Sequence, residues 1–547
     1  MSLLKITAIG LALFINSFGL SQKIAGVLDI KPGIEEGYTL FAPLNSNITY
    51  LIDNCGRIIN TWESEFTPGN TTYLLPNGNL LRTKKLSNTI IDGGGGGGGI
   101  ELFDWESNLL WSYELNNENL RLHHDVESLP NGNILMIVWE LKYKDEAIEA
   151  GRDPALISSD EVIWSEQIIE IKPISTNSHE VVWKWSLWDH LIQDFDSDKE
   201  GFGIVSDHPE LVNINYVNQG DISDWVHANS IDFNEALNQV VLSSPFFNEF
   251  WIIDHSTTTE EAASHSGGNF NKGGDLIYRW GNPLAYKRGT VEDQQLFGQH
   301  DVHWIDEMNK YEGSIILFNN NRGEKYSTVE IVTPSFDENS EYELVESSYG
   351  PIAPNFIYKA NPAEIFHSRI MGGVQSLPNN NLLICSSLQG LIFEVTNESE
   401  TVWIYKSPIT ANGIVGRNFE ETNANFASDN NFRAIKYSKT YSAFDNKELT
   451  PLEPIEGEPW IPCNIITNTM EDPKLFTEVY PNPVKDRLYI ETPDSEELLL
   501  VKLITTHGKI IRSAMGRKKI LLNVSTVTSG LYVLQINNKL TKIIEIK

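Results

Sequence analysis

Three histidines open short apolar runs of this chain: His124 in HDVES, His227 in HANSI and His300 in HDVHW. A neutral imidazole attacks electrophiles and carries protons near neutral pH, so several around one point suit transfer of an anionic group. Arg322 follows the His300 run by one hairpin, and a guanidinium makes bidentate contact with sulfate, phosphate or carboxylate. His303 stands further along the His300 run, whereas His123 is out of phase beside His124. His367 and Arg369, in EIFHSRIMGG, precede another strand-like run. Any one of these histidines alone reads more readily as a surface residue than as a catalytic one, and either arginine also reads as a surface ion pair. Three histidines in one register, out of 12 in the chain, favour a site.

The elements that must hold them are β-strands. Phe297 to Arg322 starts in polar histidines, dives through Ser314 to Phe318 and returns an arginine from an Asn-rich turn. That pattern suits the inner wall of a closed β architecture. Leu-Pro-Asn recurs at 75–77, 129–131 and 377–379, each time between apolar runs, which is a hairpin signal. An apolar pair followed by an aromatic recurs six times, at Trp62, Trp111, Trp183, Trp280, Tyr358 and Trp403. Six units of short antiparallel strands without an αβα rhythm predict an all-β six-bladed β-propeller. A pair of β-sandwiches and a β-helix are the competing readings. In a propeller the first strand of each blade lines the channel, so His124, His227 and His300 would face one axis. Asn431 to Tyr437 is expected to close the ring.

Composition excludes some partners. With 41 Lys and Arg against 74 Asp and Glu, the formal charge of −33 argues against nucleic acid and anionic membranes. Apolar residues at 41%, with 14 Trp, 19 Tyr and 23 Phe, allow a large β core. Cys55, Cys385 and Cys463 form no CxxC, so no cysteine metal site is expected; Cys55 with Cys463 is the plausible disulfide. The seven glycines Gly93 to Gly99 read as a flexible surface loop rather than an anion-binding nest. Asp194, Asp196 and Asp198 lack the Gly and Glu of a calcium loop and read as solvated acid.

Residues 1–21 read as a signal peptide, with Lys5 ahead of a broken apolar run that is too short to span a bilayer. The main body is then 22–445, a Pro/Glu-rich linker 446–473 and a small β-sandwich 474–547. The last part opens YPNP at Tyr480–Pro483, turns at Gly508 and continues GLYV at Gly530–Val533. It resembles the C-terminal sorting domain of the type IX secretion system of Bacteroidetes. That implies export through periplasm and outer membrane to a secreted or cell-surface location, with the secretion machinery as partner and no transmembrane segment in the mature chain.

HHDVESLPNGNIL, DWVHANSIDFN, FWIIDHSTT, GDLIYRWGNP, FGQHDVHWI and GGVQSLPNNNLLIC together resemble the arylsulfate sulfotransferase family. The resemblance implies a six-bladed propeller that moves a sulfuryl group from a phenolic sulfate ester to a phenol through a sulfohistidine, with no nucleotide donor and no cofactor. It places the family's early histidine on His227, its second on His300 and its arginine on Arg322. The family's nucleophilic histidine follows the arginine; His367 is the only histidine in that order here, and no motif surrounds it. Expected catalytic residues are therefore His227, His300, Arg322 and His367. His124, His303 and Arg369 are expected to bind substrate, with Trp225, Phe246 or Trp304 stacking the phenol, and no metal is expected. The alternative is a non-catalytic propeller that binds a sulfated or acidic glycan; a surface adhesin follows if the histidines do not converge.

Overall fold

A computed structural model describes residues 22–176, 178–216, 221–305, 309–338, 341–345, 348–420, 430–457, 478–491, 499–505, 510–536 and 540–547. The expected signal peptide lies outside the described residues. Among the described residues strands dominate, and the two α-helices, Lys144–Glu149 and Thr259–Ala262, are short. No described helix is long and apolar enough to cross a membrane.

Six antiparallel sheets follow one another along the chain from 26 to 438. Their first strands are β1 (Pro68–Leu74), β2 (Leu120–Ser128), β3 (Ser230–Asn234), β4 (His300–Trp304), β5 (Gly373–Ser376) and β6 (Asn431–Ser438). β6 belongs to the sheet that also holds the earliest strands, because it pairs with Gly37–Pro43 from Gly37↔Ser438 to Pro43↔Asn431. The late strand thus meets the early chain as expected. Each sheet has four strands, except that Gly26–Ile30 adds a fifth to the β5 sheet by pairing with Thr401–Lys406. The first strands touch in succession from β1 to β6, and β6 touches β1 again.

The repeats seen in the sequence have defined places in this circuit. All three Leu-Pro-Asn turns join a first strand to its second, and each closes with the same bond: Leu75 N to Asn79 O, Leu129 N to Asn133 O and Leu377 N to Asn381 O, 2.8 to 2.9 Å. The fourth residue has positive φ in each, +87° at Gly78, +84° at Gly132 and +65° at Asn380, which Gly and Asn tolerate best. All six aromatic repeats fall on the fourth strand of a sheet. Four of the tryptophans then reach the next sheet: Trp62 Nε1 donates to Asp104 O, Trp183 to Thr257 Oγ1, Trp280 to Pro351 O and Trp403 to Asn54 O. A large ring on the outer strand spans the widening gap between sheets, and its N–H finds a partner there.

Core residues sort by the same logic into six apolar clusters, one between each pair of neighbouring sheets. The expected linker is partly core: Leu452 N donates to Ile58 O, and Ile455 is buried against the first sheet. Residues 458–473 lie outside the described residues. The described residues between 478 and 547 form a three-stranded and a four-stranded sheet around a cluster of their own, from Val479 to Ile546. Cys55 is disulfide-bonded and Cys385 is a buried free thiol; Cys463 lies outside the described residues.

Candidate active site

Irregular pairing creates the site. β2 pairs regularly to Leu122↔Val138 and resumes at Val126↔Met136, so two extra residues bulge between them. β1 has the same excess between Pro68↔Lys84 and Thr72↔Arg82, and β4 has one extra residue between His300↔Phe318 and His303↔Ile316. Bulges re-aim side chains that would otherwise alternate between faces. Left-handed backbone adds to this at His227 (φ +52°), Asp301 (φ +56°) and Met371 (φ +58°), a conformation that costs such residues about 1–3 kcal/mol each.

His123, His124, His227 and His300 gather there. The rings of His123 and His124 lie 4.2 Å apart, and His123 lies 4.9 Å from His227. His124 and His300 both pack on Phe432, at 4.7 and 6.1 Å. His123, thought out of phase, is therefore central: the bulge turns both adjacent histidines inward, and Trp139 stacks on His123 at 3.6 Å. Phe246 stacks on His227 at 4.7 Å and 18°. Trp225 and Trp304, the other expected stacking rings, are core residues instead.

The four rings have different hydrogen bonds. His227 Nδ1 lies 2.5 Å from Asp224 Oδ2, and Trp139 Nε1 donates to the other oxygen at 3.2 Å. Behind this pair, burial and then Asp224 push the Glu166 carboxyl well above its usual range. Asn320 donates both Nδ2 hydrogens, to Ser368 O and Met371 O, so its Oδ1 faces His300 Nδ1 at 2.9 Å. That fixes the Nδ1–H tautomer, and Nε2 accepts from Met371 N at 3.2 Å. Burial lowers His300 to about 4 and holds His123 and His124 well below the imidazole range, with neighbouring histidines adding to it. These three are neutral at pH 7. The Nδ1 atoms of His123 and His124 are buried without a partner among the described residues.

The cation beside them is Arg433. Its Nη1 and Nη2 each lie 3.2 Å from Asp125, its Nε lies 2.6 Å from Asp301 Oδ1, and Tyr73 Oη accepts from Nη1. The Nε contact is an ion pair rather than an aligned hydrogen bond. Burial opposes the charge, but Asp125 and Asp301 more than offset it. The two acids occupy equivalent places: Asp125 accepts from Ile231 N of β3, and Asp301 accepts from Val374 N of β5. Each thus ties its strand to the next one.

Arg322 is turned elsewhere. Its Nη1 donates to Gln295 O at 2.6 Å and pairs with buried Glu330 at 3.4 Å. Among the described residues, neither Arg322 nor His367 contacts the histidine group. His367 Nε2 is buried without a partner among the described residues, and its backbone N–H donates to Gln389 Oε1. His303 turns to Asp301, with Nδ1 3.0 Å from the Asp301 carbonyl. Arg369 is exposed. In the acidic loop, Asp194 is paired to Lys287 at 2.6 Å.

The glycine run overturns its expected reading. Rather than lying free, the run packs onto the site: Gly94, Gly95 and Gly97 lie against the histidines, Gly93 against Trp139, Trp164 and Asp224, and Gly96 against Arg121. A Cβ on Gly95 would sit 2.3 Å from His124 Cδ2, and one on Gly97 would sit 1.8 Å from the His123 carbonyl. Gly96 to Gly99 are buried. Gly94 O lies 3.3 Å from His123 Nε2, and Arg121 donates to Ile91 O and Leu86 O to pin the loop entrance. Low complexity suggested mobility; close approach of backbone to buried rings is the reason for glycine here.

Asp125, Asp224, Asp301 and Arg433 were not singled out from the sequence. A signal for three of them exists: His-Asp is shared by 124–125 and 300–301, and Asp224 stands three residues before His227.

Residues 31–426 match the family described as Arylsulfotransferase, and 478–546 match the Secretion system C-terminal sorting domain. No match was found among curated proteins. Among solved structures, a Bacteroides caccae protein of unknown function is 11% identical with a TM-score of 0.39, covering 73% of this chain and 98% of its own. Virginiamycin B lyase from Staphylococcus aureus is 11% identical with a TM-score of 0.32, covering 71% and 90%. A 6-phosphogluconolactonase-like protein from Bacteroides fragilis is 12% identical with a TM-score of 0.34, covering 75% and 100%. Likeness at that level carries no argument.

Proposed function

The chain belongs to the arylsulfotransferase family, and from that premise we propose that it transfers a sulfuryl group from a phenolic sulfate ester to a phenol through a covalent histidine intermediate. The six sheets then act as blades of one closed propeller, residues 22–445, with 474–547 serving type IX export to the cell surface or beyond. The observation that carries the catalytic reading is the gathering of four histidines, one of them paired with a carboxylate, beneath a glycine-rich backbone.

His227 is the best-placed nucleophile. Asp224 accepts its Nδ1 proton in a hydrogen bond, which leaves the lone pair on Nε2. In the forward half-reaction Nε2 bonds to sulfur as the S–O(aryl) bond breaks, and the electron pair leaves on the phenolate oxygen. A phenol acceptor reverses the step: its oxygen attacks sulfur, the N–S bond breaks and its proton passes to the neutral His124 ring. Glycine-loop N–H groups suit the sulfuryl oxygens, because fixed dipoles need no reorganisation as charge develops. Phe246, stacked on His227, suits the phenol ring. His300 is committed at both nitrogens and orients rather than attacks. Arg322, occupied by Gln295 and Glu330, supports the blade, and His367 is the reserve nucleophile only if the 362–372 segment moves inward.

The test incubates purified protein with a fluorogenic aryl sulfate with and without phenol. Phenol-dependent release is expected, with labelled sulfur recovered on histidine and both signals absent from His227→Ala. Labelling that persists in His227→Ala but vanishes in His367→Ala would move the nucleophile. Tight binding of the sulfate ester without turnover would instead select the non-catalytic reading.

A further inference from the structure

Away from the channel, His190, His265 and Asp275 bring two ring nitrogens and a carboxylate oxygen within 4.8 Å of one another. His190 Nδ1 lies 2.7 Å from Asp275 Oδ1, and His265 Nδ1 lies 2.8 Å from the same oxygen. His190 is fully buried and lies parallel to Trp185, with 4° between the ring planes. Its Nε2 lies 2.8 Å from Ala262 O. A carbonyl oxygen only accepts, so Nε2 holds the proton. In the neutral ring the Nδ1 lone pair then faces a carboxylate oxygen that also only accepts. Two acceptors at 2.7 Å repel unless a cation lies between them. A second imidazole nitrogen converges on the same oxygen from the solvent side, where the His265 side chain is 62% exposed.

We propose that these three residues bind one Zn2+ ion, with His190 Nδ1, His265 Nδ1 and Asp275 Oδ1 as ligands and water in the fourth position. Two imidazoles and one carboxylate are a borderline-soft donor set that suits zinc better than calcium or magnesium. Zinc–ligand bonds of about 2.0–2.2 Å place tetrahedral donors roughly 3.3 Å apart, so both contacts need to open by about half an ångström. Exposed His265 is free to open its own contact, and a shift of the Asp275 carboxylate opens the one to His190. The Ala262 carbonyl fixes the tautomer of His190 from behind, as an outer-shell partner of a metal-bound histidine does. Glycine is required beside it: a Cβ on Gly274 would sit 2.1 Å from Ala262 O and 2.6 Å from His190 Nε2. His190 follows the outer strand Ser178–Ser186 of the third sheet, whereas His265 and Asp275 belong to the connection between Glu249–Asp254 and Leu276–Trp280 of the fourth. The ion would staple a long insertion of one sheet onto its neighbour.

The experiment uses the full chain, dialysed free of metal and then equilibrated with Zn2+ or Co2+. About one ion per chain is expected, with a visible Co2+ band of tetrahedral character and a rise in Tm on adding Zn2+. His265→Ala leaves the buried pair intact and should lose at least tenfold in affinity, while His179→Ala, at another exposed histidine, should not. Absence of binding at micromolar free metal, or equal binding by His265→Ala, overturns the proposal.

Discussion

Asp224 Oδ2 lies 2.5 Å from Nδ1 of His227, three residues further along the chain, while Trp139 holds the other oxygen. The carboxylate therefore sets the tautomer that leaves Nε2 unprotonated. Asp224→Asn preserves shape but offers an amide that can donate to Nδ1 and force the proton onto Nε2. Activity on an aryl sulfate should fall by roughly 10²–10⁴-fold in kcat with little change in KM. Steady-state kinetics of this variant check it, and a loss confined to KM would remove the tautomer role.

Burial lowers His300 to about 4, first among its causes, although Asn320 and Gly298 favour the charged form. In the unfolded chain an imidazole titrates near 6.5. Between those values the unfolded state binds the extra proton, so stability falls as pH drops from about 6.5 to about 4. The whole effect is about 3 kcal/mol. His123 and His124 act in the same direction. His300→Gln should therefore lose less Tm than the wild type between pH 7 and pH 4.5. Parallel pH–Tm curves for the two proteins would contradict this.

Gly95 has φ +75° and no room for a methyl group beside His124, whereas Gly132 has φ +84° and nothing within 4 Å of its would-be Cβ. The two substitutions to Ala share the backbone cost of about 1–2 kcal/mol but differ in steric conflict. Gly95→Ala should lower kcat/KM at least tenfold, and Gly132→Ala should leave it within twofold. Kinetics of both variants at a temperature well below their Tm separate the loop's role from general stability.

How much of this was legible in the sequence depended on whether a signal repeated. His124, His227 and His300 could be found because they open equivalent strands. The six outer-strand aromatics could be found because a widening gap demands a large ring every time. Arg433 could not be found that way: it lies 308 residues from its partner Asp125, on a strand with no histidine to mark it. Arg322 was misleading because its spacing from His300 suggested proximity. In the structure the regular pairing of its strand ends at Asn319, and the arginine turns to Gln295 and Glu330. The glycine run was misread because composition alone cannot distinguish a loop that needs freedom from one that needs closeness.

Arg433 carries the last and most severe prediction. It is buried between Asp125 and Asp301, each of which also accepts a backbone N–H at Oδ2, from Ile231 of β3 and Val374 of β5 respectively. Removing the guanidinium leaves two carboxylates facing each other without a counter-charge at the strands that carry His124 and His300. Arg433→Met should cost about 3–5 kcal/mol, the range for breaking a buried pair by deleting one partner. Adding Asp125→Asn to that variant should recover part of the loss, because one uncompensated charge disappears. Denaturant unfolding of the wild type, both single variants and the double variant measures the coupling. Additive costs would mean that Arg433 acts by packing alone; a double variant more stable than Arg433→Met identifies charge balance as what holds the two histidine-bearing strands in place.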